Sequence, residues 1–274
     1  FNVVAMNILQ QATGTSISFL DWVLVALPVV IIMTPICWFF ITAILKPEPI
    51  ADSCLQGIRD QAAGAKKIEA YEVKAILVIG AMLVLWIVGN WVPVLNATVV
   101  ALIGLTVMFL PGMDLLTWKE FQGSVPWGIV IMCGTIMSMG GVVEATGGAA
   151  FLAGAISGSG VMDLGFFAAF ALLLALIYLL HTVCPIGVAI LGIFLPIMIA
   201  LCAGFGVSPA VPTIALAVVV AGNYLMPVNP TVMLTYGEGY YTFGDMFKTG
   251  IVPSVALVLI MAAWMPFIVG VMGL

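Results

Sequence analysis

An otherwise apolar region of the chain is interrupted by the sequence Gly222-Asn223-Tyr224-Leu225-Met226-Pro227-Val228-Asn229-Pro230-Thr231. Apolar segments long enough to enter a membrane flank it on both sides. An unpaired backbone group is costly in hydrocarbon, so such a break is tolerated only inside protein or beside a water-filled cavity. The stretch therefore predicts a discontinuous helix whose two halves meet within the membrane.

The composition supports a membrane location. Apolar residues make up 64% of the chain and charged residues only 7%, whereas about a quarter of a soluble domain is charged. Its 274 residues leave room for about seven or eight spans of 20 residues. We therefore expect an all-α polytopic membrane protein embedded in the lipid bilayer.

Other function classes find little support in the sequence. The net charge of −5 arises from few charged side chains, and no basic patch or phosphate-binding glycine loop is present, so nucleic acid is not an expected partner. His181 is the single histidine and the cysteines are scattered without a CxxC pair. We expect no enzyme and no cofactor.

The basic residues indicate the orientation. Residues 46–74 hold most of the Lys and Arg side chains, and cytoplasmic loops are enriched in both. The segment 46–74 is therefore predicted to be a cytoplasmic amphipathic linker. The other predictions follow by alternation: a span at 22–45, scaffold helices over 75–111 (75–92 and 94–111), a cytoplasmic loop at 112–126, a span at 127–146, an outer-surface stretch at 147–160, inward passage over 209–240, and a last span at 250–272 that ends outside.

Residues 164–203 form two apolar arms around the sequence His181-Thr182-Val183-Cys184-Pro185-Ile186-Gly187. Two full spans and one re-entrant hairpin fit equally well, because both return the chain to the same side. Cys184-Pro185 should end the first arm, since proline breaks a helix. Thr182 and Gly187 permit close backbone approach, and His181 could contact an anion, titrate near neutral pH or serve only as a hydrogen-bond partner.

The chain also contains two similar segments. Phe19-Leu20-Asp21-Trp22 precedes Pro28, and Phe243-Gly244-Asp245-Met246 precedes Pro253. The orientation above gives their helices opposite directions, as in an inverted-topology repeat of secondary transporters. Residues 1–45, which begin with Phe1 rather than Met, would then be the end of a truncated first repeat, with 112–274 the second-repeat transport region.

The break itself contains groups able to bind ions. Asn229 is a favoured N-cap, Pro230 a favoured first helical residue, and Met226-Pro227 would end the preceding half-helix. Exposed carbonyls bind cations, whereas a helix N-terminus binds anions. A proline-kinked helix without a ligand is the alternative. Candidate binding residues in the break are Gly222, Asn223, Pro227, Asn229, Pro230 and Thr231, with sodium at Asn223, Val228 and Asn229.

These features resemble the divalent anion/sodium symporter family over nearly the whole chain, which would correspond to the last two thirds of a family member. The matching motifs are Trp22 with Pro28, Trp127-Gly128-Ile129-Val130 with Gly134, Leu195-Pro196-Ile197, Gly206-Val207-Ser208-Pro209, Met226-Pro227-Val228 and Phe243 to Gly250.

The resemblance implies that 164–203 is the outer re-entrant hairpin and 222–233 the second sodium loop, with Asn2 as the last residue of the first. It also implies a homodimer. The family's hairpin tip carries Ser-Asn-Thr, where this chain has Ile186-Gly187-Val188; its second loop carries Thr-Pro-Pro-Asn, where this chain has Pro230-Thr231-Val232-Met233. His181 and Thr182 are candidates to replace the tip.

The sequence thus predicts an inverted-repeat secondary transporter that moves a small dianion of the dicarboxylate, citrate or sulfate class with sodium as coupling ion, by alternating access. We expect it in a bacterial inner membrane. A proton-coupled or exchange carrier of the same fold is one alternative, and a non-transporting membrane scaffold is another.

Overall fold

The computed structural model describes residues 1–46, 55–57, 59, 69–92, 94–125, 160–184, 186–227 and 229–274, with isolated positions between 127 and 158. The described residues form helices and connecting turns, and none of them lies in a strand. Five helices within the described residues are long and apolar enough to cross a membrane. The prediction of an all-α polytopic membrane protein is thereby confirmed.

The chain divides into two compact units, one of Phe1–Ile17, Asp21–Leu45 and Trp127–Leu274, and the other of Ser18–Leu20 and Lys46–Pro126. In chain order the helices are α1 Asn2–Thr13, α2 Phe19–Leu45, α3 Ala70–Val88, α4 Ala97–Met108, α5 Trp118–Ser124, α6 Phe166–Val183, α7 Gly187–Gly204, α8 Ala210–Ala221, α9 Pro230–Gly237 and α10 Phe243–Met272.

Several helix boundaries differ from the predicted spans for local reasons. Helix α10 begins before residue 250 because Thr242 and Asp245 form a capping box: the Thr242 N–H donates to the Asp245 carboxylate at 2.9 Å, and the Asp245 N–H donates to Thr242 Oγ1 at 3.2 Å. Helix α4 begins only at Ala97, because Asn96 caps it by accepting the Val99 N–H at 3.0 Å.

Two further outcomes concern the N-terminal part of the chain. Helix α1 was not predicted; it ends at Thr13 and is capped by Gly14, whose positive φ of 72° suits a glycine. The two segments matched as a repeat both begin their helices at the phenylalanine, Phe19 in α2 and Phe243 in α10.

Most of the predicted linker 46–74, span 127–146 and stretch 147–160 lies outside the described residues.

In the larger unit, α7 and α8 are the most enclosed helices. Most of their side chains are buried, among them Leu191, Leu195 and Leu216. Helix α10 packs against both α6 and α8, and its Trp264 indole N–H donates to the Val25 carbonyl of α2 at 3.0 Å. Close packing of this kind, rather than escape from water, holds helices together in lipid. In this arrangement Tyr224, which follows α8, lies against Tyr178 of α6 and Gly250 of α10.

The smaller unit is built on the pair α3 and α4. Gly104 of α4 lies directly against the Met82 thioether of α3, so a larger residue there would require the Met82 side chain to move. The Lys74 ammonium donates to the Gly112 carbonyl at 2.6 Å, just beyond the end of α4. A cation at this position satisfies carbonyls that have no partner within a helix.

Candidate functional site

The predicted break is present in the backbone. Helix α8 ends at Ala221 and α9 begins at Pro230, with residues 222–229, here called the crossover segment, between them. Asn229 is extended (φ −99°, ψ 143°), as steric conflict with the following proline requires. Pro230 is the first residue of α9, where its missing N–H costs nothing. Val228, a predicted sodium ligand, lies outside the described residues.

The side chain of Asn229 does not act as predicted. It makes no cap on α9; its Nδ2 instead donates to the Ala221 carbonyl at 2.8 Å, at the end of α8. This bond fixes which end of the amide is the nitrogen. Asn229 is only 6% exposed, and its Oδ1 has no hydrogen-bond partner among the residues that the structure describes. The residue therefore joins the two half-helices and leaves one buried acceptor free.

Asn223 connects the crossover segment to the first arm of the interrupted pair. Its Nδ2 donates to Thr182 Oγ1 at 3.1 Å, and its Oδ1 accepts the Leu225 N–H at 3.1 Å. The Thr182 hydroxyl in turn donates to the Tyr178 carbonyl at 2.9 Å. Two predicted site residues, Thr182 and Asn223, are therefore in direct contact although they are far apart in sequence.

Tyr178 is the functional candidate that sequence reasoning missed. Its hydroxyl lies 2.8 Å from the Tyr224 backbone nitrogen, 2.6 Å from Ser254 Oγ and 3.3 Å from the Gly222 carbonyl oxygen. Two of these contacts are to the crossover segment and the third is to α10. The available signal was its position one helical turn before Thr182, on the same face of an otherwise apolar arm.

The turn between α6 and α7 is tight. The Cys184 N–H donates to the Leu180 carbonyl at 2.8 Å, and the Ile186 N–H donates to the Cys184 carbonyl at 2.8 Å. No side chain caps the N-terminus of α7. Gly187 lies against the Phe1 ring and the Val220 side chain, which accounts for a glycine there. Pro185 lies outside the described residues.

The other candidates differ in their surroundings. His181 is fully buried, and within the described part of the chain neither of its ring nitrogens has a hydrogen-bond partner. Asn2 is the first residue of α1 and is exposed, next to the Phe1 ring that contacts Gly187. Pro227 and Gly222 are partly buried, and Thr231 is the second residue of α9.

Around the crossover segment and the α6–α7 turn, the electrostatic potential is set by helix dipoles rather than by acidic or basic side chains. No Lys, Arg, Asp or Glu occurs between Asp163 and Glu238. The N-termini of α7 and α9 carry no side-chain cap, so both present partial positive charge. Unpaired acceptors such as Asn229 Oδ1 suit a cation. The region can therefore bind an anion only with help from bound cations or helix ends.

A cavity of about 360 Å³ lies on the α2 and α10 side of the crossover segment. Its hydroxyls are already engaged: Thr235 with Tyr241 at 2.8 Å, and Thr249 with the Asp245 carbonyl at 2.9 Å. It has no basic lining residue, so it does not suit a dianion. Its lining residues are Cys37, Ile41, Leu45, Asn223, Tyr224, Val232, Thr235, Tyr241, Met246, Thr249, Gly250 and Pro253.

Comparison with known sequences identifies the family. A sequence model of the family described as "Sodium:sulfate symporter transmembrane region" matches residues 1–271. The chain belongs to this family. The resemblance drawn from the motifs is therefore confirmed, and the sodium:sulfate symporter family consists of transporters, in agreement with the expectation that the chain is not an enzyme.

Several curated relatives match the chain over part of their own length. A membrane protein of Cupriavidus necator is 23% identical over 270 residues, which cover 96% of this chain and 53% of that protein. The Na(+)/citrate cotransporter of Rattus norvegicus is 24% identical over 310 residues, covering 93% of this chain and 54% of the relative.

The sodium-dependent dicarboxylate transporter SdcS of Staphylococcus aureus is 22% identical over 287 residues, covering 96% of this chain and 54% of the relative. The chain thus spans about half the length of these relatives, so the expected two thirds of a sodium:sulfate symporter family member was too large a share.

Proposed function

We propose that this chain forms part of a sodium-coupled symporter that moves a small dianion of the dicarboxylate, citrate or sulfate class by alternating access. Family membership and the relatives named for sodium-dependent citrate and dicarboxylate transport support this class. The substrate among these anions stays open, because the chain departs from the family pattern where Ile186-Gly187-Val188 and Pro230-Thr231-Val232-Met233 stand.

The buried, unpaired Oδ1 of Asn229 is the observation that carries this proposal. A buried amide oxygen without a partner costs about 1–3 kcal/mol, and an oxygen-liganded cation would remove that cost. Sodium would be bound there together with backbone carbonyls of the crossover segment. Asn223 contributes less through its side chain, since Leu225 already occupies its oxygen.

The substrate anion would bind where it is attracted both by the bound sodium ion and by the partial positive charge of the helix N-termini. Helix α7 begins at Gly187 and α9 at Pro230, and neither has a side-chain cap. Because no basic side chain lies between Asp163 and Glu238, the anion would be too costly to desolvate without the bound cation. This dependence of one charge on the other is the physical basis of coupled transport.

Alternating access would move the unit that contains α6 to α10 against a scaffold that includes α3 and α4. The division of the chain into two compact units supports this assignment. In this proposal α6 and α7 are the arms of a re-entrant hairpin, α2 and α10 belong to inverted repeats, and the protein works as a homodimer in a bacterial inner membrane.

Orientation in the membrane can be tested by labelling. We propose that segment 46–74 is cytoplasmic and that the C-terminus is outside. A cysteine in place of Lys119 should react with an impermeant maleimide only after the inner membrane is opened, whereas a cysteine in place of Leu274 should react in intact spheroplasts. The reverse pattern would contradict this orientation.

The transport proposal is tested by uptake into proteoliposomes that contain the intact protein. Radiolabelled succinate, citrate and sulfate are offered with an inward sodium gradient, and choline replaces sodium in the matched control. We expect uptake of at least one anion with sodium and none above background with choline. Equal uptake in both buffers would overturn sodium coupling, and no uptake of any anion would favour the scaffold alternative.

A proton-coupled carrier is the second candidate, and the buried His181 with two unpartnered ring nitrogens favours it. A histidine can exchange a proton near neutral pH. In that case an inward proton gradient should drive uptake in choline buffer, and His181→Gln should abolish this drive. Unchanged uptake after imposing the gradient would reject proton coupling.

A further inference from the structure

Tyr178 is placed to hold the crossover segment from the neighbouring helix. It lies in α6, two turns from the α6–α7 break, and is only 3% exposed. Its hydroxyl contacts the backbone of Gly222 and Tyr224, which lie at the start of the crossover segment, and the side chain of Ser254 in α10. One hydroxyl therefore joins three separate elements of the larger unit.

The direction of each hydrogen bond follows from counting protons. The Tyr224 N–H donates to the Tyr178 oxygen at 2.8 Å. Ser254 has a single hydroxyl proton, and it donates this proton to the Gly250 carbonyl at 2.6 Å. Tyr178 must then donate to Ser254 across their 2.6 Å contact, with the Gly222 carbonyl at 3.3 Å as a weaker second acceptor.

Both backbone polar groups of Tyr224, its N–H and its carbonyl oxygen, are held in place. Its N–H is held by Tyr178, and its carbonyl oxygen lies against Gly250, where even a methyl group would overlap it. Three residues before Tyr224, the carbonyl of Ala221, the last residue of α8, accepts a hydrogen bond from Asn229. The backbone that would supply sodium-binding carbonyls is thus set by Tyr178 at one end and Asn229 at the other.

We propose that Tyr178 is a positioning residue that sets the sodium affinity of the crossover segment without contacting the ion. This inference rests on the proposed function, because it assigns Tyr178 to the sodium-binding side of that same site. Loss of the hydroxyl would leave the Tyr224 N–H unsatisfied and release the segment, while the aromatic ring would keep its packing.

The test compares Tyr178→Phe with Ser254→Ala and with Tyr240→Phe, a control whose side chain is 86% exposed. Sodium dependence of uptake and backbone hydrogen exchange over residues 222–229 are measured on the intact protein. Tyr178→Phe should raise the half-saturating sodium concentration about tenfold. The maximal rate at saturating sodium should stay within about twofold, because the ion binds the same ligands once the segment is ordered.

Ser254→Ala should act in the same direction but only about two- to threefold, since Tyr178 can turn its proton to the Gly222 carbonyl instead. Exchange over 222–229 should rise in both variants, more in Tyr178→Phe, with α7 unchanged. Tyr240→Phe should match the unaltered protein in every measurement. If Tyr178→Phe fails to fold, Ser254→Ala decides the question on the same two readouts.

Normal sodium dependence and normal exchange in the folded variant would overturn this role for Tyr178. An equal rise of exchange across α6, α7 and the crossover segment would also overturn it, because that result reports general loosening. Sodium-independent uptake by the unaltered protein would reject the proposed function instead, and faster exchange confined to 222–229 in Tyr178→Phe would still support the positioning of the segment.

Discussion

The amide nitrogen of Asn229 lies 2.8 Å from the carbonyl oxygen of Ala221, so the residue before α9 closes the end of α8. The last carbonyls of a helix have no partner within it and need one elsewhere. Here the partner comes from the start of the next half-helix. The amide oxygen of Asn229 is buried and has no hydrogen-bond partner among the described residues.

Replacement of Asn229 by Ala should therefore weaken sodium binding. The change removes the amide oxygen proposed to bind sodium, together with the hydrogen bond to Ala221. We therefore expect the half-saturating sodium concentration for uptake to rise about ten- to a hundredfold. Asn96→Ala is the matched control: it removes the cap on Val99, costs about 1 kcal/mol of stability, and leaves the sodium response unchanged. Equal sodium responses in the two variants would contradict the assignment.

Thr182→Val tests the link between α6 and the crossover segment. Valine keeps the shape but leaves the Asn223 amide nitrogen, in a residue only 1% exposed, without its acceptor. We expect a loss of about 1–2 kcal/mol and a lower melting temperature in detergent. Thr213→Val serves as control, because the Thr213 hydroxyl donates only to the Pro209 carbonyl of its own helix turn. Equal losses in both variants would show that the Asn223 contact contributes nothing.

Gly250→Ala should disturb the site by direct overlap. An added methyl group would collide with the Tyr224 carbonyl, which is backbone and cannot turn away. Overpacking of this kind costs about 1–3 kcal/mol. Gly270→Ala lies in the same helix in open space, and it should stabilise α10 by up to about 1 kcal/mol. Thermal unfolding of both variants, with and without sodium, measures the difference, and a tolerated Gly250→Ala would contradict the close approach.

Helix α5 should show a pH dependence that follows from its cap. Hydrogen bonds from Thr117 lower the pKa of the Glu120 carboxyl. A lowered folded-state pKa means that the cap contributes fully above the ordinary glutamate value of about 4.3 and is lost as pH falls through the folded value. Hydrogen exchange over 117–124, corrected for intrinsic rates, should increase at acidic pH. Glu120→Gln should abolish that change; a dependence that persists would assign it to another group.

The backbone of the site could be predicted from the sequence because proline acts locally. Pro230 begins α9, and the arms on either side of Cys184 end and begin within a few residues of their predicted positions. Both effects depend on the geometry of adjacent residues alone. The start of α10 was missed although Thr242 and Asp245 carry a recognisable capping box.

The side-chain contacts could not be predicted in the same way. Asn229 is a good N-cap by type, yet its amide bonds Ala221 because the fold brings the end of α8 within reach. Tyr178 and Tyr224 are in contact across two helices and a turn, and no spacing rule connects them. Such pairs depend on how α6, α8 and α10 pack, which is tertiary information.

The length of α10 has a consequence for the lipid environment. Its 30 residues extend about 45 Å, against a hydrocarbon thickness of about 30 Å. A helix that is longer than the hydrocarbon layer is accommodated by tilting, by kinking or by a locally thicker bilayer, so its placement responds to bilayer thickness. Gly250 and Ser254, which contact Tyr224 and Tyr178, belong to this helix. A change in bilayer thickness that moved α10 would therefore shift the backbone against which Tyr224 rests, at the ion site proposed above.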